Sequence, residues 1–205
     1  MLITEHFFLI ACDPASGLPA WPRRHQGAPI LAAAALAMDL TLQGRLHLNG
    51  GLLHADISLP MSHPLLNDGA RLLAAGDLPV TSALRLLAQR LDPLPQKVLD
   101  GLFRRDLLHR IQRRDWLLRK RARYPLRSMQ ARNEALQSLQ AAAHGGDLHG
   151  LGLLLLADLS GLLALHLRAQ DHERATQRLL SLNAVAGSAP EAQRLFAEIR
   201  TALLA

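Results

Sequence analysis

The stretch from Leu148 to Arg168 restricts the fold more than any other part of the chain. It is apolar on nearly every face and contains four consecutive leucines, Leu153 to Leu156. A helix without a polar face has to be surrounded, either by lipid or by other protein. Its uncharged length is too short for a bilayer, and Asp158 near its middle would cost roughly 2.5–3.5 kcal/mol there. The stretch is therefore expected to form the central helix of a core, with Asp158 capped or salt-bridged.

What can surround such a helix follows from the apolar residues available. They are nearly all Leu and Ala, with 3% aromatic residues, and this bias favours helix over sheet. A chain of 205 residues is long enough to bury a sizeable core as one domain. Met1 to Cys12 predicts one or two helical turns starting at Thr4. Asp13 to Gly27 reads as loop, broken by Pro14, Gly17, Pro19 and Pro22, and it carries Trp21 beside Arg23, Arg24 and His25. Pro29 to Gln43 predicts a helix stopped at Gly44. Arg45 to Leu48, the turn Asn49-Gly50-Gly51 and Leu52 to Ile57 predict a hairpin, since Asn-Gly tolerates the positive φ of a tight turn.

Helices are then expected from Ser62 to Ala75, from the Thr81 cap through Leu84, Leu87 and Leu91, and from Pro95 through Phe103. Ser128 to His144 is amphipathic and ends at Gly145-Gly146. A helix opened by Asp171 runs to about Ala186, and Ser188-Ala189-Pro190-Glu191 forms a capping box for the last one. The fold class is mainly α: a single globular helical domain over 1–205 with two small β-hairpins, the second basic with an apolar tip.

That second hairpin is read from Leu107 to Leu126. Apolar Leu107-Leu108 and Trp116-Leu117-Leu118 flank Gln112-Arg113-Arg114-Asp115, which suits a tight turn. Arg104 to Arg123 holds nine Lys or Arg against Asp106 and Asp115, a charge of +7, while the remainder of the chain carries −1. Like charges repel, so this concentration gains nothing for folding and points to an anionic partner, the alternative being a solvated arginine-rich hairpin with no partner. Arg110, Arg113, Arg114, Arg119, Lys120, Arg121 and Arg123 ring an apolar wedge of Trp116, Leu117 and Leu118. Indole at the interface with cations on phosphate is the chemistry of the lipid headgroup boundary. Trp116 packing into the core from an outer strand is the alternative for that residue.

Other chemistries leave no mark. The single Cys12 excludes an internal disulfide and a cysteine-built zinc site, and it fits a reducing compartment. Leu2 to Cys12 is interrupted by Glu5 and lacks a preceding basic segment, so it does not read as a signal peptide. No Gly-rich phosphate loop, nucleophile elbow or metal-helix motif is present, and the ten histidines share no ligand spacing. The chain is expected to be no enzyme and to need no cofactor or metal.

The order of these features resembles the Golgi phosphoprotein 3 family. The matching pieces are Leu2-Ile3-Thr4-Glu5, Leu40-Thr41-Leu42-Gln43-Gly44-Arg45-Leu46 and His63-Pro64-Leu65-Leu66-Asn67-Asp68. Phe103 to Leu108, Tyr124-Pro125-Leu126 and the helical C-terminal part complete them. The resemblance implies a mostly helical domain on the cytosolic face of a membrane, which binds phosphatidylinositol 4-phosphate, inserts its hairpin tip and acts as an adaptor for Golgi enzymes. Of the family's headgroup residues, Trp21 matches the loop tryptophan. The three arginines are replaced near Ala33, Asp92 and Pro95, with Arg23, Arg24, Arg90 and Lys97 close enough in sequence to supply charge.

The expected partner is thus anionic membrane lipid, bound through the hairpin and the Trp21 loop by a cytoplasmic, peripherally membrane-associated protein with protein clients. Each Lys or Arg near an anionic surface is worth roughly 1 kcal/mol. Two rivals share the same charge: nucleic acid gripped by a winged-helix-like hairpin, and a protein-interaction module that docks an acidic partner or forms a homo-oligomer through the hairpin.

Overall fold

The computed structural model describes residues 1–18, 20, 27–114, 120–184 and 189–204. It opens with α1 (Ile3–Ala11) and α2 (Ala28–Leu42), followed by β1 (Leu46–Asn49), β2 (Leu52–Ala55), α3 (Pro64–Leu73) and β3 (Leu78–Pro79). Helices α4 (Val80–Arg90) and α5 (Leu94–Arg104) lead to β4 (Ile111–Arg114) and β5 (Lys120–Arg123). The rest is helical: α6 (Met129–Ala143), α7 (Leu148–Leu159), α8 (Leu163–His166), α9 (Ala169–Ala184) and α10 (Glu191–Leu204). The mainly helical class expected from the Leu and Ala bias is what forms.

Helix α7 is a buried helix of the core, packed by α1, α2, α6 and α10, and it shares the centre with α2, whose residues Leu31 to Thr41 are all buried. Leu153, Leu154, Leu155 and Leu156 are all fully buried. At roughly 1.5–3 kcal/mol for each leucine withdrawn from water, this one turn contributes on the order of 6–12 kcal/mol. Gly152 marks the closest approach, since a Cβ there would lie 2.7 Å from Ile3 Cδ1 and 3.2 Å from Phe196 Cε2. The helix is shorter than the expected Leu148–Arg168. Ser160 Oγ donates to the Leu156 carbonyl at 2.7 Å, Gly161 adopts a φ of 72°, and the chain restarts as α8. Asp158 consequently sits in the last turn of α7 rather than mid-helix, 3.7 Å from Arg200 Nη2. The expected salt-bridged acid is found.

Helix α1 starts at Ile3 and owes its start to α2 rather than to Thr4. Asp39 of α2 accepts from the Ile3 N–H at 2.7 Å, the Thr4 N–H at 3.0 Å and the Thr4 hydroxyl at 2.6 Å. A buried carboxylate thus satisfies the orphan donors of a helix N-terminus from 35 residues away in sequence. Burial pushes Asp39 up to about 6 despite those bonds.

The first hairpin forms where expected, with Leu46 opposite Ala55 and Asn49 opposite Leu52, so Asn49 belongs to the strand and the turn is Gly50-Gly51 alone. It is not a hairpin alone. β3 adds to the free edge of β2, pairing Leu53 with Leu78, so the unit is a three-stranded antiparallel sheet. Two residues before a helix carry too little alternation to announce a strand. α6 begins where Ser128 Oγ accepts from the Ala131 N–H at 3.2 Å, as its cap predicts. Of the capping box expected before α10, Ser188 lies outside the described residues.

Candidate functional site

The basic hairpin stands on α5. β4 and β5 are antiparallel, with Ile111 opposite Arg123, Gln112 opposite Ala122, Arg113 opposite Arg121 and Arg114 opposite Lys120. Gln112-Arg113-Arg114 is therefore strand and not the turn that the sequence suggested. The hairpin is pinned lower down, where buried Leu108 bridges Leu126, and the His109 N–H donates to the Pro125 carbonyl at 2.8 Å. That register carries the strands outward past the expected turn. The register thus pairs basic residues with basic residues at two successive positions.

The root of the hairpin is polar, with a buried tyrosine held by half-buried partners. Tyr124 is almost fully buried, and its hydroxyl donates to Asp100 Oδ1 at 2.7 Å, while Gln96 Nε2 donates to the same hydroxyl oxygen. Arg110 Nη1 approaches Asp100 from the hairpin at 3.7 Å. Burial and the neighbouring Asp100 carboxylate push the Tyr124 phenol well above its ordinary value, so it stays a donor. Gln96 and Asp100 are four residues apart on one face of α5, which is how a single helix presents both groups to one tyrosine.

The loop after α1 closes against the same root. The Leu126 N–H donates to the Pro14 carbonyl at 2.9 Å and the Tyr124 N–H to the Gly17 carbonyl at 3.4 Å. Gly17 adopts a φ of 64°, and a Cβ there would lie 2.3 Å from the Pro125 nitrogen. The loop that continues to Trp21 is thus tied to the strand leaving the hairpin.

The predicted site residues divide into three groups. Trp21, Arg23, Arg24, Trp116, Leu117, Leu118 and Arg119 lie outside the described residues. Arg113, Arg114, Lys120 and Arg121 are placed by strand register. Arg90, Lys97 and Arg110 are exposed, and Arg123 is half-buried. Arg90 ends α4, whereas Lys97 lines a cavity with Glu5, His63 and Arg104. Ala33 is fully buried on α2, and Asp92 and Pro95 flank the start of α5. The root residues Gln96, Asp100 and Gly17 were not foreseen. A polar pair at i and i+4 on an otherwise amphipathic helix was the available signal for the first two.

On the far side of α5 an exposed arginine pairs with a buried carboxylate. Arg105 Nη1 donates to Glu5 Oε1 at 2.6 Å, His63 Nε2 approaches the same oxygen at 3.8 Å, and the Leu2 N–H donates to Glu5 Oε2 at 3.1 Å. Burial raises the Glu5 carboxyl, but His63, Arg105 and the Leu2 N–H outweigh it and hold the group at about 2. α5 is therefore tied to α1 on one side and to the hairpin on the other.

Residues 3–199 match the sequence profile of Golgi phosphoprotein 3 (GPP34), nearly the whole chain. The chain belongs to the GPP34 family. A comparison with curated proteins gives no match. The GPP34 assignment agrees with the resemblance read from Leu2-Ile3-Thr4-Glu5 through Tyr124-Pro125-Leu126. Among the described residues of this GPP34 chain, no helix is long and apolar enough to cross a membrane, and no group of three or more His, Cys, Asp or Glu is arranged to hold a metal ion.

Proposed function

We propose that the protein is a non-enzymatic peripheral membrane protein that binds anionic phospholipid, phosphoinositide-type headgroups included, through the basic hairpin and the Trp21 loop, and that it serves as an adaptor. The observation that carries this reading is the register of β4 and β5. Pairing Arg113 with Arg121 and Arg114 with Lys120 in register gathers four of the window's nine cations at two successive positions of the hairpin, a concentration of charge that an anionic surface would attract. With about 1 kcal/mol per cation near an anionic membrane, half the cluster already gives useful attraction. Membership of the GPP34 family supports a role at membranes. The root on α5 supports it too, because a wedge transmits binding energy only if its base is fixed.

Co-sedimentation with vesicles tests this. Recovery is expected on vesicles containing phosphatidylserine or phosphatidylinositol 4-phosphate and not on phosphatidylcholine alone. Equal recovery on neutral vesicles, or tighter binding to a DNA duplex than to anionic vesicles, overturns it.

A further inference from the structure

A cavity of about 190 Å³ lies between the N-terminal turns of α1 and α3 and one face of α5, away from the hairpin root. Its apolar wall includes Leu2, Leu65 and Val98, and its charged wall is Lys97 and Arg104 with the acids Glu5 and Asp68. Lys97, Gly101 and Arg104 are spaced four and three residues apart, so they share one face of α5. Nothing lies within 4 Å of where a Gly101 Cβ would be. The missing side chain leaves an open floor between two cations.

Neither cation has an ion-pair partner among the described residues, and the nearest buried acid is already taken, since Glu5 is held by Arg105 at 2.6 Å. The first turn of α3 is unsatisfied on the same side. His63 makes no capping hydrogen bond, and the Leu65 and Leu66 N–H groups have no acceptor among the described residues. His63 Nδ1 is buried without a partner, its Nε2 being turned to Glu5. Lys97, Arg104 and His63, whose buried Nδ1 has no partner, border this apolar-walled space, and Asp68 is the one lining acid without an ion-pair partner among the described residues.

We infer that this cavity binds a small oxyanion, a phosphate or carboxylate carried on a short apolar body, with Lys97 and Arg104 pairing its charge. The apolar body lies on Leu2, Leu65 and Val98. Asp68 opposes the anion and sets an upper bound on affinity. Arg104 opens the basic window and Lys97 is among the residues that could supply headgroup charge, but the site uses none of Arg113, Arg114, Arg119 and Lys120, so substitutions there separate it from binding through the hairpin.

The test is calorimetric titration of the full chain with phenyl phosphate and with inorganic phosphate. Phenyl phosphate is expected to bind more tightly, and Lys97→Gln with Arg104→Gln to weaken it about tenfold or more, the loss of a charge-assisted contact. Lys97→Arg with Arg104→Lys should retain binding, and Asp68→Asn should tighten it. Replacing Arg113, Arg114, Arg119 and Lys120 with Gln should leave it unchanged. Vesicles containing phosphatidic acid identify the source. A lipid ligand makes vesicle recovery sensitive to Lys97→Gln with Arg104→Gln, whereas a soluble ester leaves it insensitive. No heat with phenyl phosphate at millimolar concentration, unchanged affinity in the Gln pair with its thermal melt intact, or weaker binding in Asp68→Asn overturns the inference.

Discussion

The Tyr124 hydroxyl donates to Asp100 Oδ1 at 2.7 Å, joining the strand that leaves the basic hairpin to the helix that precedes it. Asp100 is also approached by Arg110 at 3.7 Å, so one carboxylate serves both strands of the root. Tyr124→Phe leaves the ring in place and removes the donor. A hydrogen bond to a charged group contributes roughly 1.5–3 kcal/mol, and the variant is expected to lose an amount within that range. Urea unfolding followed by far-ultraviolet circular dichroism measures it. A loss below about 0.5 kcal/mol would show that Asp100 finds enough replacement in Gln96 and Arg110.

Gly17 offers a second test of the root. Its backbone lies so close to Tyr124 and Pro125 that a methyl group must displace one of the two segments. Gly17→Ala also meets the positive φ of 64°. Destabilisation of about 1–3 kcal/mol is expected from strain of this kind. The loop should also become cleavable by trypsin near Arg23 and Arg24 at concentrations that spare the parent protein. An unchanged digestion pattern would mean that the loop is held by other contacts.

The sequence made the helices legible because Leu and Ala at helical spacing leave little choice, and α2, α4 and α6 follow the apolar stripes and stops. What it hid are relations between distant residues. Asp39 looks like any polar residue in an alanine-rich helix, yet it starts α1. Glu5 read as an interruption of an apolar segment, and it is the carboxylate that Arg105 holds from α5. The turn expected at Gln112 to Asp115 was inferred from polarity alone, and that cue fails where a strand is built from arginines. Hairpin register depends on Leu108 and Leu126, eighteen residues apart, and nothing local encodes their meeting. Residues 115–119 of the tip and 21–26 of the loop lie outside the described residues, so their roles rest on the sequence alone.

His6 Nδ1 and His149 Nε2 lie 3.0 Å apart, and this pair gives stability a pH dependence. Burial and the facing His149 lower His6 to about 4, while Glu5 and Glu134 work against that shift. Between about 4 and 6.5 the unfolded chain binds the proton more readily, so this contribution is present above pH 6.5 and is lost as pH falls toward 4. Asp39 acts with the opposite sign. Its folded value of about 6 lies above the ordinary 3.8, so protonation favours the fold as pH falls through that window. The urea midpoint is expected to drop from pH 7 to pH 5, with no single group exceeding about 1.4 kcal/mol per pH unit. His6→Asn should flatten the drop, and Asp39→Asn should steepen it. Parallel curves for all three proteins would remove both groups from the account.

The last prediction sets the wedge against the charge. Replacing Arg113, Arg114, Arg119 and Lys120 with Gln removes four of the nine cations in the Arg104 to Arg123 window, and with them both like-charged cross-strand oppositions. The hairpin itself should become no less stable, because like charges facing each other only weaken a ladder. Binding to anionic vesicles should fall most at low salt, where the Debye length is long and each cation contributes fully. Trp116→Ser with Leu117→Ser should do the reverse, weakening binding most at high salt, where the arginines are screened and only apolar burial remains. Exposed substitutions change stability by about 0.5 kcal/mol or less, so a solvent-facing tip leaves the melt in place. If the tip variant unfolds, Trp116 belongs to the core and the membrane reading keeps its charge but loses its anchor. If only the charge variant loses binding, a phosphate backbone or an acidic protein becomes the better partner, because neither needs an apolar wedge.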